Sequence, residues 1–414
     1  MATYDKKINM HSDAWCPIPF IGVSLHPTGS LTRCMMSEED MTPRGAGVDS
    51  FDWDSQSFQK LRTDMLAGTW DEKGCANCKM KEDAGVRSQR QNWLVNKKAD
   101  FAAGAYDNPT LTDNPVRHLF LNFNNVCNFK CRMCNPRYSN SLIPEHRHMV
   151  ESGTVPALRW NDEQHKNINP VIPFLMANKE RLRGITSIWI TGGEPFIDNT
   201  MWKVRDILNE YADPSQIKMT ITTNGSRTDL EKLQTFDNFK QIHFDLSLDA
   251  PGKLFEYMRS AGVFSWEEYD ETVKNLVEFS SRNSSWFKFG VNSSYQVYNA
   301  ADIGNFFNYL KTRLGSYEVN LRVLVGPQWF QARHAPESIK QIARAEIDKL
   351  LNISDLPQSV RNSISDCLRM LNQEASDHYW DIFKTMCKEQ DAFRGVHLKD
   401  YIPTLAQEVY GPDA

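Results

Sequence analysis

A chain of 414 residues with 41% apolar and 24% charged residues has the composition of globular domains and room for two or three of them. Lys and Arg number 47 against 52 Asp and Glu, a net charge of −5, so there is no general electrostatic drive toward nucleic acid or anionic lipid. No apolar run approaches the ~18 residues of a membrane span, and the opening MATYDKKINMHSDAW lacks the apolar core of a secretion signal, which sets the expectation of a cytoplasmic protein without membrane or nucleic-acid partners.

Residues 1–99 read as an irregular front module with one helical stretch, SFQKLRTDMLAG, in which Phe58, Leu61 and Met65 share a face and Gly68 is the stop. Four cysteines fall here, Cys16, Cys34, Cys75 and Cys78. GVRSQRQNW, with Arg87, Arg90 and Trp93, reads as a solvated basic helix face, since two arginines in an acidic protein make a weak nucleic-acid signal. Residues 100–115, rich in Gly, Asn, Asp and Pro, read as a linker.

From 116 to 352 short apolar runs alternate with amphipathic helices. The runs are VRHLFLNF (116–123), TSIWIT (186–191), KMTITT (218–223), QIHFDLSL (241–248), FKFGVNSSYQV (287–297) and VNLRVLVG (319–326). Helical patterns include MWKVRDILNEYA, WEEYDETVKNLVEF, ADIGNFFNYLKTRL and ESIKQIARAEIDKLL, the last starting after Pro336 with Ile339, Ile342, Ile347 and Leu350 on one face. Alternating strands and helices imply parallel βαβ units of an α/β fold. Six units do not close an eight-stranded barrel, so the expectation is an open, partial (β/α)6 barrel. Residues 353–414 read as a helical cap in which Cys367 and Cys387 are small core residues.

Nine cysteines is an odd count, which argues against a disulfide framework, and their clustering points to metal. Cys127-x3-Cys131-x2-Cys134 has helical spacing, but Asn125, Asn128 and Asn135-Pro136 favour a loop. Three thiolates select zinc or iron–sulfur and leave one coordination position open, as in catalytic sites.

The active site of an α/β barrel lies where its strands end. NNVCNFKCRMCNP follows the first run, and Gly192-Gly193-Glu194-Pro195 follows the second. Asn224-Gly225 follows the third; Ser247 and Asp249 close the fourth. Gln296 and Asn299 close the fifth, and GPQWFQARH with Trp329, Gln331, Arg333 and His334 follows the sixth, where it lines a substrate cavity or is simply solvated. Asn224-Gly225 is equally a turn, and Ser247 and Asp249 equally cap a following segment.

CxxxCxxC followed by GGEP on such a scaffold resembles the radical S-adenosylmethionine (SAM) superfamily over roughly residues 116–335. The resemblance implies that Cys127, Cys131 and Cys134 hold a 4Fe–4S cluster whose unique iron chelates SAM. It places Gly192, Gly193 and Glu194 at the methionine amino group, Ser247 and Asp249 at the ribose and carboxylate, Gln296 to Asn299 at the ribose or adenine, with Asn224 beside them. Arg259 in YMRSAG is a candidate for the SAM carboxylate, since a guanidinium fork suits that group. Met133 stands where the family often has an aromatic residue, and a thioether still packs on a base. Reductive cleavage of SAM would release a 5′-deoxyadenosyl radical that takes hydrogen from a substrate C–H bond, with an electron supplied by a partner such as flavodoxin or ferredoxin.

Cys16, Cys34, Cys75 and Cys78 match a closed four-thiolate site, iron–sulfur or zinc. They resemble the SPASM and twitch auxiliary-cluster modules, which implies a second 4Fe–4S cluster; here the set precedes the barrel instead of following it, and Gly29-x4-Cys34 is one residue longer. Such enzymes oxidise or cross-link peptide and protein side chains, or act on sugars, nucleosides, amino acids and other small molecules; a peptide or protein is the slightly favoured substrate. The rival from another class is a non-catalytic metal-binding scaffold.

Overall fold

The computed structural model describes residues 12–37, 41, 52–83, 88–96, 109–112, 115–155, 158 and 169–412. Most of the expected linker, and Arg87, lie outside the described residues.

All six expected runs form strands: β3 (His118–Asn122), β4 (Ser187–Thr191), β5 (Lys218–Thr223), β6 (Gln241–Ser247), β7 (Phe287–Tyr295) and β8 (Val319–Val323). Each pairs in parallel with the next, as helical crossovers require. The helices Thr200–Tyr211, Trp266–Arg282 and Ile303–Leu314 stand where the periodicity placed them. The second is started by a complete capping box between Ser265 and Glu268.

Two further strands, β1 (Gly22–Leu25) and β2 (Leu31–Thr32), extend the sheet to eight in the order β2-β1-β3-β4-β5-β6-β7-β8. The front of the chain is therefore built into the sheet. β1 is parallel to β3, with Gly22 opposite His118 and Leu25 opposite Leu121. Gly22 allows this approach, because a Cβ there would stand 3.0 Å from His118 Cβ. Such a short strand gives little alternation to read, and its apolar residues are buried on both sides. β2 and β8 do not pair with each other, so the sheet is open.

The α/β alternation has a physical reason in the strands. Ile188, Ile190, Met219, Ile221, Ile242, Phe244 and Leu246 are buried and lie in one core with Val204, Leu208, Val273, Leu276, Phe306 and Phe307 of the covering helices. The intervening positions, Trp189, Thr191, Thr220, Thr222, His243, Asn292 and Asn320, are only half-buried. Period-2 alternation puts them on the opposite face, so the inner face of the sheet is polar where a closed barrel is filled by branched apolar side chains.

Phe58, Leu61 and Met65 are buried on the helix Gln56–Leu66, and Gly68 follows with φ 80°. Arg90 is not solvated: it is 4% exposed, paired with Glu82 and bonded to the Trp15 carbonyl. Trp93 packs edge-on against Phe120 at the sheet. In the helix Glu337–Leu351 the buried face is Ile339, Ala343, Ile347 and Leu350, while Ile342 is exposed at its flank. The tail forms the helices Gln358–Leu371, Asp377–Arg394 and Pro403–Tyr410, with Cys367 and Cys387 fully buried.

Candidate functional site

Because β1 and β3 through β8 are parallel, every segment that follows one of these strands starts at the same sheet edge. The residues between β3 and the helix Ile143–Ser152 form an irregular loop carrying Cys127, Cys131 and Cys134, all half-buried. Its backbone is pinned from several sides. Asn124 Oδ1 accepts from Val126 N at 2.9 Å, Asn125 Nδ2 donates to the Pro136 carbonyl at 3.0 Å, and Arg132 N donates to the Met258 carbonyl at 2.8 Å. Met133, half-buried, packs on the apolar cluster formed with the C-terminal helices.

The Gly192–Pro195 turn lies backbone to backbone on this loop. Glu194 N donates to the Val126 carbonyl at 2.8 Å. Gly193 has φ 50°, and a Cβ on it would stand 2.3 Å from the Val126 oxygen, so only glycine fits. The Glu194 side chain is buried. It accepts from Thr223 Oγ1 at 2.8 Å, Asn224 N at 2.7 Å and Phe196 N at 3.2 Å. Burial outweighs those three donors and pushes its carboxyl up to about 7. Asn224 Nδ2 reaches Asn128 Oδ1 at 3.1 Å and Cys127 Sγ at 3.8 Å. Asn128, missed as a site residue in the sequence, thus ties the cysteine loop to the end of β5; its position inside the motif was the available signal.

From β6, Asp249 pairs with Arg259 Nε at 2.8 Å and accepts from Ser294 N at 2.8 Å. Arg259 Nη1 lies 3.9 Å from Cys131 Sγ. Asn299 is fully engaged with backbone: Nδ2 donates to the carbonyls of Asp249 and Ser294, and Oδ1 accepts from Gln296 N. Ser247 is buried, and its carbonyl accepts from Tyr269 Oη. Gln296 is 0% exposed, yet among the described residues neither end of its amide has a partner. An orphaned buried amide at a sheet edge is costly unless a ligand meets it.

His334 turns away from this edge: Nδ1 accepts from Ser376 N at 3.0 Å, and Arg333 Nε lies 3.1 Å from its Nε2. Gln331 Nε2 donates to the Val325 carbonyl. Trp329 is half-buried beside Phe330.

Burial raises the pKa values of all three loop cysteines, helped by neighbouring thiols at Cys127 and Cys134 and by Asp249 at Cys131; that of Cys134 reaches about 12. The cations that act on them are Arg259, at Cys131 and Cys134, and Arg394, at Cys131. Among the described residues no three His, Cys, Asp or Glu side chains are closed on one metal position. Buried thiols with so little protein cation nearby become thiolates when metal supplies the positive charge. The donor set, three soft ligands on a buried loop, suits an iron–sulfur cluster with one open position.

In the front module burial is the main cause that raises the pKa values of the Cys16, Cys34 and Cys75 thiols, with smaller contributions from neighbouring thiols, and Cys34 and Cys75 reach about 11. The fold thus brings Cys16 and Cys34 near enough to the Cys75-x2-Cys78 pair for the thiols to act on one another. Arg33 stands among them, ion-paired with Asp71 and bonded to Cys75.

A family model described as the radical SAM superfamily matches residues 121–289, the segment from β3 into β7. Over those residues the chain is similar to the radical SAM superfamily. Among solved structures it is similar to one titled "Native anSMEcpe with bound AdoMet and Kp18Cys peptide", at 14% identity and TM-score 0.39, covering 56% of this chain and 60% of that one. It is also similar to SuiB of Streptococcus suis bound to S-adenosylmethionine, at 14% identity and TM-score 0.35, covering 67% and 58%. The chain thus spans about three fifths of the length of each. No curated protein matches it. No described helix is long and apolar enough to cross a membrane.

Proposed function

We propose that this protein is a radical SAM enzyme that takes a hydrogen atom from a C–H bond of a peptide or protein side chain and leaves it oxidised or cross-linked. The observation that carries the reading is the meeting of the Cys127–Cys134 loop with the glycine turn Gly192–Gly193 at the edge where the parallel strands end. Cys127, Cys131 and Cys134 hold a 4Fe–4S cluster, and that cluster with SAM supplies, when bound and reduced, a 5′-deoxyadenosyl radical.

The chain's own residues bind and orient. Gly192 and Gly193 bring backbone close to the cofactor without a side chain in the way. Asp249, held by Arg259 and Ser294 N, fixes that guanidinium beside Cys131 and presents charge to SAM. Gln296 gives its unpartnered amide to the nucleoside. The polar inner face receives the substrate, and the open sheet lets a segment of chain enter from the side. Cys16, Cys34, Cys75 and Cys78 would hold a second 4Fe–4S cluster, which would supply the one-electron acceptor that a net two-electron oxidation needs. Electrons for SAM cleavage come from a flavodoxin or ferredoxin.

Anaerobic assay of the reconstituted protein with dithionite and SAM tests the reading. 5′-Deoxyadenosine forms in the wild type and not after replacement of the three loop cysteines by Ala. Absence of that product in the wild type would leave a metal-binding scaffold. A short precursor peptide encoded beside this gene, modified on co-expression, would establish the substrate class; modification of a small molecule instead would overturn it.

A further inference from the structure

A continuous chain of hydrogen bonds joins the two cysteine groups. Arg137, three residues beyond Cys134, stands with Nη2 at 3.2 Å from His26 Nδ1. The other ring nitrogen of His26 is 3.3 Å from Thr32 Oγ1. Thr32 Oγ1 in turn donates to the Cys34 carbonyl at 2.9 Å. One proton arrangement satisfies all three contacts. A guanidinium only donates, so Nδ1 accepts; Nε2 then carries the ring proton and gives it to Thr32, whose own hydrogen goes to Cys34.

His26 is 4% exposed and Thr32 is 1% exposed. A buried polar chain of this kind has few alternative geometries, since breaking one link strands a donor or acceptor away from water. At one end Arg137 is fixed to the cysteine loop, with its backbone N–H on Asn135 Oδ1 at 3.0 Å. At the other end the chain stops on the backbone of Cys34. The sheet makes the contact possible: β1 is parallel to β3, so His26 emerges at the edge from which the Cys127–Cys134 loop also rises.

We propose that Arg137, His26 and Thr32 couple the two cysteine sites, so that metal in the Cys16/Cys34/Cys75/Cys78 site holds the catalytic loop in ligand geometry and slows loss of its cluster. The inference rests on reading both cysteine groups as metal sites, and it holds whether the front site takes iron–sulfur or zinc. Coupling between binding sites is reciprocal, so the catalytic cluster also favours metal at the front. His26 is a positioning residue here.

The test uses the reconstituted full chain and follows the SAM-responsive electron-paramagnetic-resonance signal of the reduced cluster during challenge with an iron chelator. Cys75→Ala with Cys78→Ala is expected to speed loss of that signal roughly tenfold, within the usual range for coupled sites. His26→Phe should do the same, and adding it to the cysteine pair should bring no further loss, because both changes remove one coupling. His26→Gln keeps a donor toward Thr32 and should recover part of the retention. Thermal melts by circular dichroism identify a variant that has merely unfolded, and the Gln variant then carries the comparison. Additive losses, or unchanged retention after removal of the front cysteines, would overturn the coupling. A wild type with no SAM-responsive signal would instead remove the reading on which it rests.

Discussion

Arg132 and Asp391 form a buried ion pair, Nη2 to Oδ1 at 2.5 Å, although 259 positions separate them. Arg132 lies between two loop cysteines, and its guanidinium sits 3.5 Å above the centre of the Tyr257 ring. Asp391 also accepts from Tyr257 Oη, Tyr410 Oη and Leu398 N. One turn further along the same helix, Arg394 holds Glu145 through Nε and Nη2 at 2.7 and 2.9 Å. The helix Asp377–Arg394 is thereby fastened to the cysteine loop and to the helix Ile143–Ser152 that follows it.

Asp391→Ala leaves Arg132 charged, buried and unpaired, which costs about 3–5 kcal/mol. Asp391→Asn keeps an acceptor and should cost less. Chemical denaturation of the apoprotein checks both, and equal stability of Ala and wild type would show the pair to be idle.

Gly193→Ala forces a Cβ toward the Val126 oxygen at a residue with φ 50°. The loop and the turn then separate, with a loss above the ~1 kcal/mol of an ordinary strained substitution. Iron content after reconstitution should fall well below that of the wild type, whereas Gly252→Ala, strained by its φ of 67° but with open space around it, should lower it far less.

His334 is held neutral: burial, then Arg333 and Lys340, lower its pKa from 6.5 to about 4. The unfolded chain takes up a proton as pH falls below about 6.5, while the folded protein waits until about 4. The stability conferred by neutral His334 is therefore complete above pH 6.5 and lost as pH drops toward 4. Linkage sets the loss at about 3 kcal/mol at most. Melting temperatures measured across that interval should fall less steeply in His334→Asn, whose carbonyl takes the place of the ring acceptor.

Replacing Cys75 and Cys78 by Ala should halve the iron bound per chain after anaerobic reconstitution. Iron unchanged from the wild type would refute a second cluster, and a zinc-loaded wild type would reassign the front site.

The six sheet runs and the shared edge were legible because period-2 and period-3.6 patterns are local properties of the chain. The cysteine loop was legible for the same reason, its asparagines and proline being poor helix formers. β1 was not, since four buried residues carry no alternation and their partner lies near position 118. Arg90 was misread because a buried arginine is indistinguishable in sequence from a solvated one until Glu82 and the Trp15 carbonyl are seen around it. Ile342 was placed on the buried face because helical spacing alone does not say how wide that face is. Arg132 and Asp391 show the limit most plainly, as no periodicity links residues so far apart.

Glu194 gathers donors from β5 and from its own turn, while its backbone N–H holds the cysteine loop. The edge therefore opens as one piece or not at all. Its amide protons, at Glu194, Phe196 and Asn224, should exchange with deuterium at a common rate set by a single opening event, and Glu194→Gln should quicken all of them together.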